Sequence, residues 1–313
     1  MRRGYDVTWA LMAMKKRTLV ASVLIFLAVP LVIVLGSILF NDRNYMLISI
    51  LVLLLTSFPF FMVFERRKPK AREIVLIAMM CAIAVCAHLI CSVTIPLRAG
   101  TAIIIVCGIA LGPEAGFLIG ALARFVLNFY AGQGPWSPWQ MFCWGLIGFL
   151  AGLAFNRGLS EKKNSRQFTA VMGPTMCVVF MVIAAYLSYV IFPPADKGSF
   201  WGWRLYVFGA AGLILGALLQ RKRLPVDNIT LTTFTFFVVF IIYGGLMNIF
   251  TMISTASIPG NPEVSWDTLK IYYISGVPYD LAHAGAATVF NLIFGEKIIQ
   301  KLERIKIKYG IYR

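Results

Sequence analysis

Long apolar runs separated by short polar segments dominate the hydrophobicity pattern of the chain. Most of the runs contain about 18 residues or more, which is roughly the length that a helix needs to cross the hydrocarbon core of a bilayer. The pattern predicts ten spans, of which the fourth is short and tilted or partly loop, at about residues 18–40, 45–64, 73–92, 100–112, 113–131, 139–156, 168–192, 203–220, 229–254 and 268–295. The sequence therefore predicts an all-α polytopic membrane protein.

The composition agrees with this class. Hydrophobic residues make up 59% of the chain and charged residues only 13%, whereas soluble domains carry about 25% charged residues. The net charge of +16 does not indicate nucleic-acid binding, because the basic residues lie in short runs between apolar segments. The six cysteines lie in or beside apolar runs without CxxC spacing, and we interpret them as buried apolar residues.

The basic residues also predict the orientation in the membrane. Most of the 29 Lys and Arg residues lie in alternate connections, near residues 2–17, 66–72, 157–166, 221–223 and 297–313. By the positive-inside rule these connections and both termini are cytoplasmic, and the loops 132–138, 193–202 and 255–267 face outward. No small-residue cleavage site follows the basic N-terminal segment, so we expect a retained first span and no cleaved signal peptide.

The stretch from Gly108 to Gly152 contains two apolar runs joined by a loop rich in Trp, Gly and Pro. Residues spaced by four lie on one face of a helix. Such stripes are formed by Gly116, Gly120, Arg124 and Asn128 in the fifth span and by Gln140, Trp144, Gly148 and Gly152 in the sixth. Each stripe is small at its cytoplasmic end and polar or aromatic at its outer end, so we expect two helices that pack tightly inside and separate outside.

Further polar residues lie at membrane depth, where an ionisable group costs about 2.5–3.5 kcal/mol and needs a reason. The last span contains Tyr279, Asp280 and His283, and we expect Gly276 and Pro278 to break its outer half. The outer halves of two other spans add His88 and Asn248. Their common depth predicts an outward cavity that binds a small ligand.

Less specific interpretations remain open. Arg124 and Asp280 form either a structural ion pair or part of a ligand site for a carboxylate or phosphate. A histidine such as His88 is commonly a packing residue, and Trp136 and Trp139 suit an interfacial belt as well as a lid.

Several segments resemble the substrate-binding S components of energy-coupling factor (ECF) vitamin transporters. They are AIII at 102–105, GIALGP at 108–113, AGFLIGA at 115–121, NF at 128–129, QGPWSPWQM at 133–141 and GVPYDLAH at 276–283. The resemblance covers residues 72–157 and 240–305. It implies a subunit of the bacterial plasma membrane that binds a vitamin in an outward cavity and works with a transmembrane coupling subunit and ATPases on separate chains. The sequence itself contains no GxxxxGKS/T motif for ATP.

The resemblance also implies a core of six helices, formed by the spans at 73–92, 100–112, 113–131, 139–156, 229–254 and 268–295. The chain then divides into an extra hairpin at 1–70, the first part of the core at 71–157, an inserted hairpin at 158–227, and the last two core helices with a basic tail at 228–313. Ala78 and Ala82 fit the small-residue motif by which such proteins dock on the coupling subunit, although generic helix packing explains them equally well.

Our leading hypothesis is a ligand-capture subunit that is not an enzyme and carries no metal or cofactor. Tryptophans would stack on a planar group, amides would orient it, and Arg124 and Asp280 would complement its charge. The predicted substrate-binding residues are Arg124, Asn128, Gln133, Trp136, Trp139, Gln140, Trp144, Asn248, Asp280 and His283. The loop motif resembles most the members that bind a corrinoid or its precursor, which is the first substrate hypothesis.

Two rival functions belong to other classes. An intramembrane metal-dependent enzyme would use Asp280, His283 and His88, but no HExxH or nucleophile motif accompanies them. An ion-coupled carrier would be expected to contain inverted repeats, and the two halves of the chain show no convincing repeat.

Overall fold

The computed structural model describes residues 71–94, 98–155 and 226–311, together with the short pieces 50–51, 54, 57, 184 and 207–212. In this part of the chain the regular elements are helices joined by short loops. The first group consists of α1 (Ala71–Thr94), α2 (Ala99–Leu111), α3 (Pro113–Ala131) and α4 (Trp136–Ala154). The second consists of α5 (Asn228–Phe237), a π-helical turn (Val238–Gly244), α6 (Gly245–Ala256), α7 (Trp266–Phe290), a second π-helical turn (Asn291–Gly295) and α8 (Glu296–Tyr309).

These helices coincide with six of the predicted spans to within a few residues. Three helical segments are long and apolar enough to cross a membrane, namely Ala71–Ser92, Pro113–Ala131 and Asn228–Ala256, and Ala99–Leu111 is a shorter apolar helix. The predicted spans at 18–40, 45–64, 168–192 and 203–220 lie wholly or largely outside the described residues. The helical fold class is therefore confirmed for the described part, and the total of ten spans stays a prediction.

Helix α2 lies at the centre of the bundle. All 13 of its residues are buried, and it packs against α1, α3, α4, α7 and α8. A helix with neighbours on every side has no polar face, so a continuous apolar sequence such as AIIIVCGIAL is what this position requires. The segment is helical throughout, and no part of it is loop.

Helices α2, α3 and α4 meet through a glycine seam formed by Gly108, Gly116, Gly120, Gly148 and Gly152. A methyl group added to Gly148 would lie 2.5 Å from the carbonyl oxygen of Gly116, and one added to Gly116 would lie 2.6 Å from the Cα of Gly108. The backbones are thus in direct contact, which only glycine permits. This confirms the predicted tight packing of the two helices at the small ends of their stripes.

Two predicted boundaries are wrong. Helix α7 continues through Gly276 and Pro278, because a proline removes one backbone hydrogen bond and bends a helix while neighbouring helices support the rest of the ladder. Helix α4 begins at Trp136 and so includes part of the predicted loop. Pro138 is tolerated there because the first turn of a helix has no acceptor for its N–H.

The two ends of the bundle differ in chemistry. At one end, Lys306 of α8 donates a hydrogen bond to the carbonyl oxygen of Ala110, the penultimate residue of α2. At the same end, Arg72 Nη1 donates to the carbonyl oxygen of Tyr309 at 3.4 Å. The loop between α3 and α4 lies at the opposite end, where Gly132 has a φ of 96° that glycine adopts readily. Arg72 and Lys306 therefore lie at the end of the bundle opposite this loop.

Candidate functional site

A partly open cavity of about 240 Å³ lies toward the end of the bundle that carries the α3–α4 loop. Five helical segments and the residue that precedes α2 contribute to its wall. From α3 and α4, the contribution comes from the ends of the two stripes that carry polar or aromatic residues rather than glycine. The lining residues are His88, Leu89, Ser92, Arg98, Arg124, Leu127, Tyr130, Ala131, Gln140, Trp144, Tyr243, Tyr279 and His283. The wall therefore combines cationic, hydrogen-bonding and aromatic groups.

Arg124, Gln140 and Trp144 form one wall of the cavity across α3 and α4. Arg124 Nε donates to Gln140 Oε1 at 2.9 Å, and the Arg124 guanidinium lies over the Trp144 ring at 5.2 Å from its centroid. This pairing follows from the antiparallel arrangement of the two stripes, in which Gly116 faces Gly148 and Gly120 faces Trp144. The sequence predicted all three residues as ligand contacts, and the structure brings them together.

Arg98 and Tyr279 form another part of the wall. Arg98 immediately precedes α2, and its guanidinium lies over the Tyr279 ring at 5.8 Å from the centroid. Each arginine of the cavity is thus held by the face of an aromatic ring, which attracts a cation through its negative quadrupole. Ring faces stabilise a guanidinium while leaving its N–H groups available to another partner.

Two histidines lie deeper in the wall. His283 is joined to Thr101 by a hydrogen bond of 2.9 Å between Nε2 and Oγ1, and its ring meets Tyr243 edge to face at 4.7 Å. His88 packs edge to face on Trp144 at 5.2 Å. The Nδ1 atoms of both histidines and the Nε1 atom of Trp144 are buried without a hydrogen-bond partner. Buried polar atoms without a partner are uncommon in folded proteins, and these three belong to residues that line the cavity.

The helix that carries Tyr279 and His283 is fixed by a second polar contact outside the cavity lining. Asn248 Nδ2 donates to Asp280 Oδ2 at 2.7 Å. Gly244 leaves room for the Asp280 side chain, because a methyl group there would lie 2.6 Å from its Cγ. Asp280 therefore bonds to α6, and it forms no ion pair with Arg124, which binds Gln140 instead.

The remaining predicted ligand residues lie around the cavity without lining it. Asn128 is fully buried and both of its side-chain polar atoms lack a partner. Trp139 is buried against Phe250, with ring centroids 5.5 Å apart. Gln133 and Trp136 are exposed near the α3–α4 loop. The structure thus places Arg124, Gln140, Trp144 and His283 in the wall and the other six outside it.

The predicted docking residues lie on a free face of α1. Ala78 and Ala82 are exposed, and the large apolar side chains Val75, Met79 and Ile83 beside them are also about half exposed. In a membrane such a face contacts lipid or another transmembrane chain.

The metal-enzyme hypothesis gains no support from the described residues. Within them, no group of three or more His, Cys, Asp or Glu side chains is placed to hold a metal ion. His283 bonds to Thr101 and Asp280 bonds to Asn248, so the two predicted ligands point to different partners although they are three residues apart.

Sequence reasoning missed Arg98 and Tyr243 as site residues. Arg98 could have been identified from the sequence, since it is one of few basic residues in the connections predicted to face outward. Tyr243 could not have been identified in this way. Its position in the wall follows from the π-helical turn Val238–Gly244, which changes the side of the helix on which a side chain lies.

Comparison with known families gives one match within the region that contains this site. The model of the family described as "ECF-type riboflavin transporter, S component" matches residues 68–200, which is less than half of the 313 residues. The matched segment contains α1 to α4 and therefore the Arg124 wall and the glycine seam. No solved structure matches the chain significantly.

Proposed function

We propose that the chain is an S component of the energy-coupling factor type, which captures a vitamin or related small metabolite from outside the cell. It delivers the metabolite through a separate, ATP-driven coupling module. The family match over residues 68–200 supports this assignment. The observation that carries this proposal is the cavity whose wall joins Arg124, Gln140 and Trp144 to Arg98 and Tyr279. A pocket of few polar groups among aromatic rings is the usual form of a small-molecule site.

Each part of the wall has a role in binding. Tyr279, which is 60% exposed, offers a ring face to a planar group, and the buried Trp144 holds Arg124 in the wall. Gln140, Tyr243 and His283 orient the group by hydrogen bonds. We assign Gln133 and Trp136, which are exposed at the α3–α4 loop, to a lid over the bound ligand. We assign Asn128 and Trp139, which are buried and have unpaired polar atoms, to the support of the wall from behind.

The size of the cavity bears on the substrate. Pockets for drug-sized ligands measure about 300–1,000 Å³, and this one measures about 240 Å³. That volume favours a ligand with one small ring system. The riboflavin named in the matched family has three fused rings and a sugar-alcohol chain and is therefore larger. A corrinoid, whose macrocycle is several times larger, would require the lid and the loop to move apart.

For the arrangement in the membrane we keep the sequence prediction as part of the proposal. We assign α1 to α7 to a core of six membrane helices, with α5 and α6 as one helix, and the segments 1–70 and 158–227 to extra hairpins that complete ten spans. The end with Arg72 and Lys306 faces the cytoplasm under the positive-inside rule. The cavity at the other end then opens to the exterior, with both termini inside.

The free face of α1 is our candidate for docking on the coupling subunit. Ala78 and Ala82 let another helix approach closely there, and the neighbouring apolar side chains supply contact area.

Trp144 provides the test of this proposal. Mass spectrometry of the small molecule that accompanies the purified protein identifies the ligand, and titration measures its affinity. Trp144→Ala should weaken binding by about 10- to 100-fold, since it removes the ring that holds Arg124 in the wall, a contact and burial worth about 1.5–3 kcal/mol. Phe129→Ala is the control, because Phe129 is 69% exposed and outside the wall. A protein that binds no vitamin-class metabolite would refute the proposal.

A further inference from the structure

The cavity concentrates positive charge without a compensating carboxylate. Arg98 and Arg124 both contribute to the wall, and none of the 13 lining residues in the described part of the chain is Asp or Glu. The carboxylate that follows Tyr279 in the sequence, that of Asp280, accepts from Asn248 and sits over Gly244. The charge of the two guanidiniums is therefore not neutralised within the wall.

The hydrogen bonding of Arg124 leaves most of its donors free. Its Nε donates to Gln140 and its planar face covers Trp144, while no residue in the described part of the chain accepts from its Nη atoms. The buried Nδ1 atoms of His88 and His283 and the Nε1 of Trp144 add further polar atoms without partners. An unpaired guanidinium at membrane depth is costly, so a partner of opposite charge stabilises it strongly.

The two arginines are well placed to share one anionic group. Each lies over an aromatic ring, Arg98 over Tyr279 and Arg124 over Trp144, and both line the same cavity. A guanidinium presents a planar fork of N–H donors that matches the oxygens of a carboxylate or phosphate. The rings that hold the guanidiniums also border the volume in which a planar ligand would lie.

We infer that the site selects a planar metabolite that carries a carboxylate or phosphate, which Arg98 and Arg124 bind together. This inference rests on the proposed function and adds the charge of the substrate. The neutral form of the same ring system lacks the group that pairs with the two arginines, so it binds more weakly.

Matched pairs of compounds test the inference. The protein, reconstituted in nanodiscs of zwitterionic lipid, is titrated with riboflavin and riboflavin 5′-phosphate, pyridoxine and pyridoxine 5′-phosphate, and nicotinamide and nicotinate. We expect the charged member of at least one pair to bind about 10- to 100-fold more tightly than its neutral partner, the range given by charge-assisted hydrogen bonds. The first two pairs report on a phosphate and the third on a carboxylate.

Variants connect the preference to the two arginines. Arg98→Gln and Arg124→Gln should each reduce the preference for the charged member to less than about threefold, because each arginine supplies charge-assisted hydrogen bonds that only the charged member can accept fully. Arg72→Gln is the matched control, since Arg72 lies at the other end of the bundle, and it should leave the preference intact.

The outcomes separate the two proposals. Equal or tighter binding of the neutral members would overturn the inference and leave the proposed function standing. A preference that persists in both cavity variants would also overturn it. If no compound of any pair binds and no metabolite accompanies the purified protein, the proposed function fails and the inference fails with it.

Discussion

A single methyl group in the glycine seam should destabilise the bundle. Gly148→Ala adds a Cβ that would lie 2.5 Å from the carbonyl oxygen of Gly116, 2.7 Å from its carbonyl carbon and 3.0 Å from Ile104 Cγ2. Ordinary van der Waals contact begins near 3.4 Å. Since two of the three obstructing atoms belong to backbone, no side-chain rotation relieves the contact, and α3 and α4 must separate by close to 1 Å.

The magnitude follows from two opposing terms. Alanine is favoured over glycine inside a helix by about 0.8–1 kcal/mol, whereas overpacking a close contact costs about 1–3 kcal/mol and occasionally more. The first term can be measured separately at Gly285 of α7, where an added methyl meets nothing within 4 Å. The difference between Gly148→Ala and Gly285→Ala therefore isolates the overpacking cost.

The assay is reversible unfolding of the purified protein in mixed micelles, followed by helical circular dichroism. We expect Gly148→Ala to be less stable than Gly285→Ala by about 1–3 kcal/mol, with Gly285→Ala equal to the parent or slightly more stable. If the two variants unfolded at the same denaturant concentration, the backbone contact between α3 and α4 would be refuted.

Two other variants test the contacts on either side of the cavity. Asn248→Leu removes the donor to Asp280 and should lower the free energy of unfolding by about 1.5–3 kcal/mol. Ligand affinity should change less than about twofold. A large loss of affinity at unchanged stability would instead place Asn248 in the site. Ala82→Leu on the exposed face of α1 should prevent co-purification with the coupling subunit and leave ligand binding intact. Unimpaired co-purification would show that the docking surface lies elsewhere.

The positions of the described helices could be predicted because a membrane-spanning helix must satisfy its own backbone hydrogen bonds, so each apolar run becomes one helix. The contact between the stripes of α3 and α4 could also be predicted, because residues spaced by four lie on one face of a helix. Partners between distant helices could not be predicted in this way. Asp280 bonds to Asn248 rather than to Arg124, because the choice depends on how α7 is rotated against α6, which no local pattern encodes.

The π-helical turn illustrates a second limit. In the π-helical turn Val238–Gly244, each backbone hydrogen bond joins residues that are five positions apart, so the helix contains the equivalent of one extra residue. The helix beyond the turn therefore presents a face that a period of 3.6 residues does not predict. Tyr243 reaches the cavity as a result. Such turns are costly in isolation and occur often at functional sites, so the turn itself is an argument that this wall serves binding.

The cavity and the seam are consequences of one gradient of side-chain size. Along α3 the stripe runs from Gly116 and Gly120 to Arg124, and along α4 it runs antiparallel from Gly148 to Trp144. Backbones that touch at the glycines, where Gly120 faces the backbone of Trp144, must diverge at the next level, where the Arg124 side chain meets Gln140, since these side chains fill the space between them. The width of the cavity is therefore set by how closely the glycines approach. A change in the seam should then alter ligand affinity from a distance, through the angle between α3 and α4 rather than through any contact with the ligand.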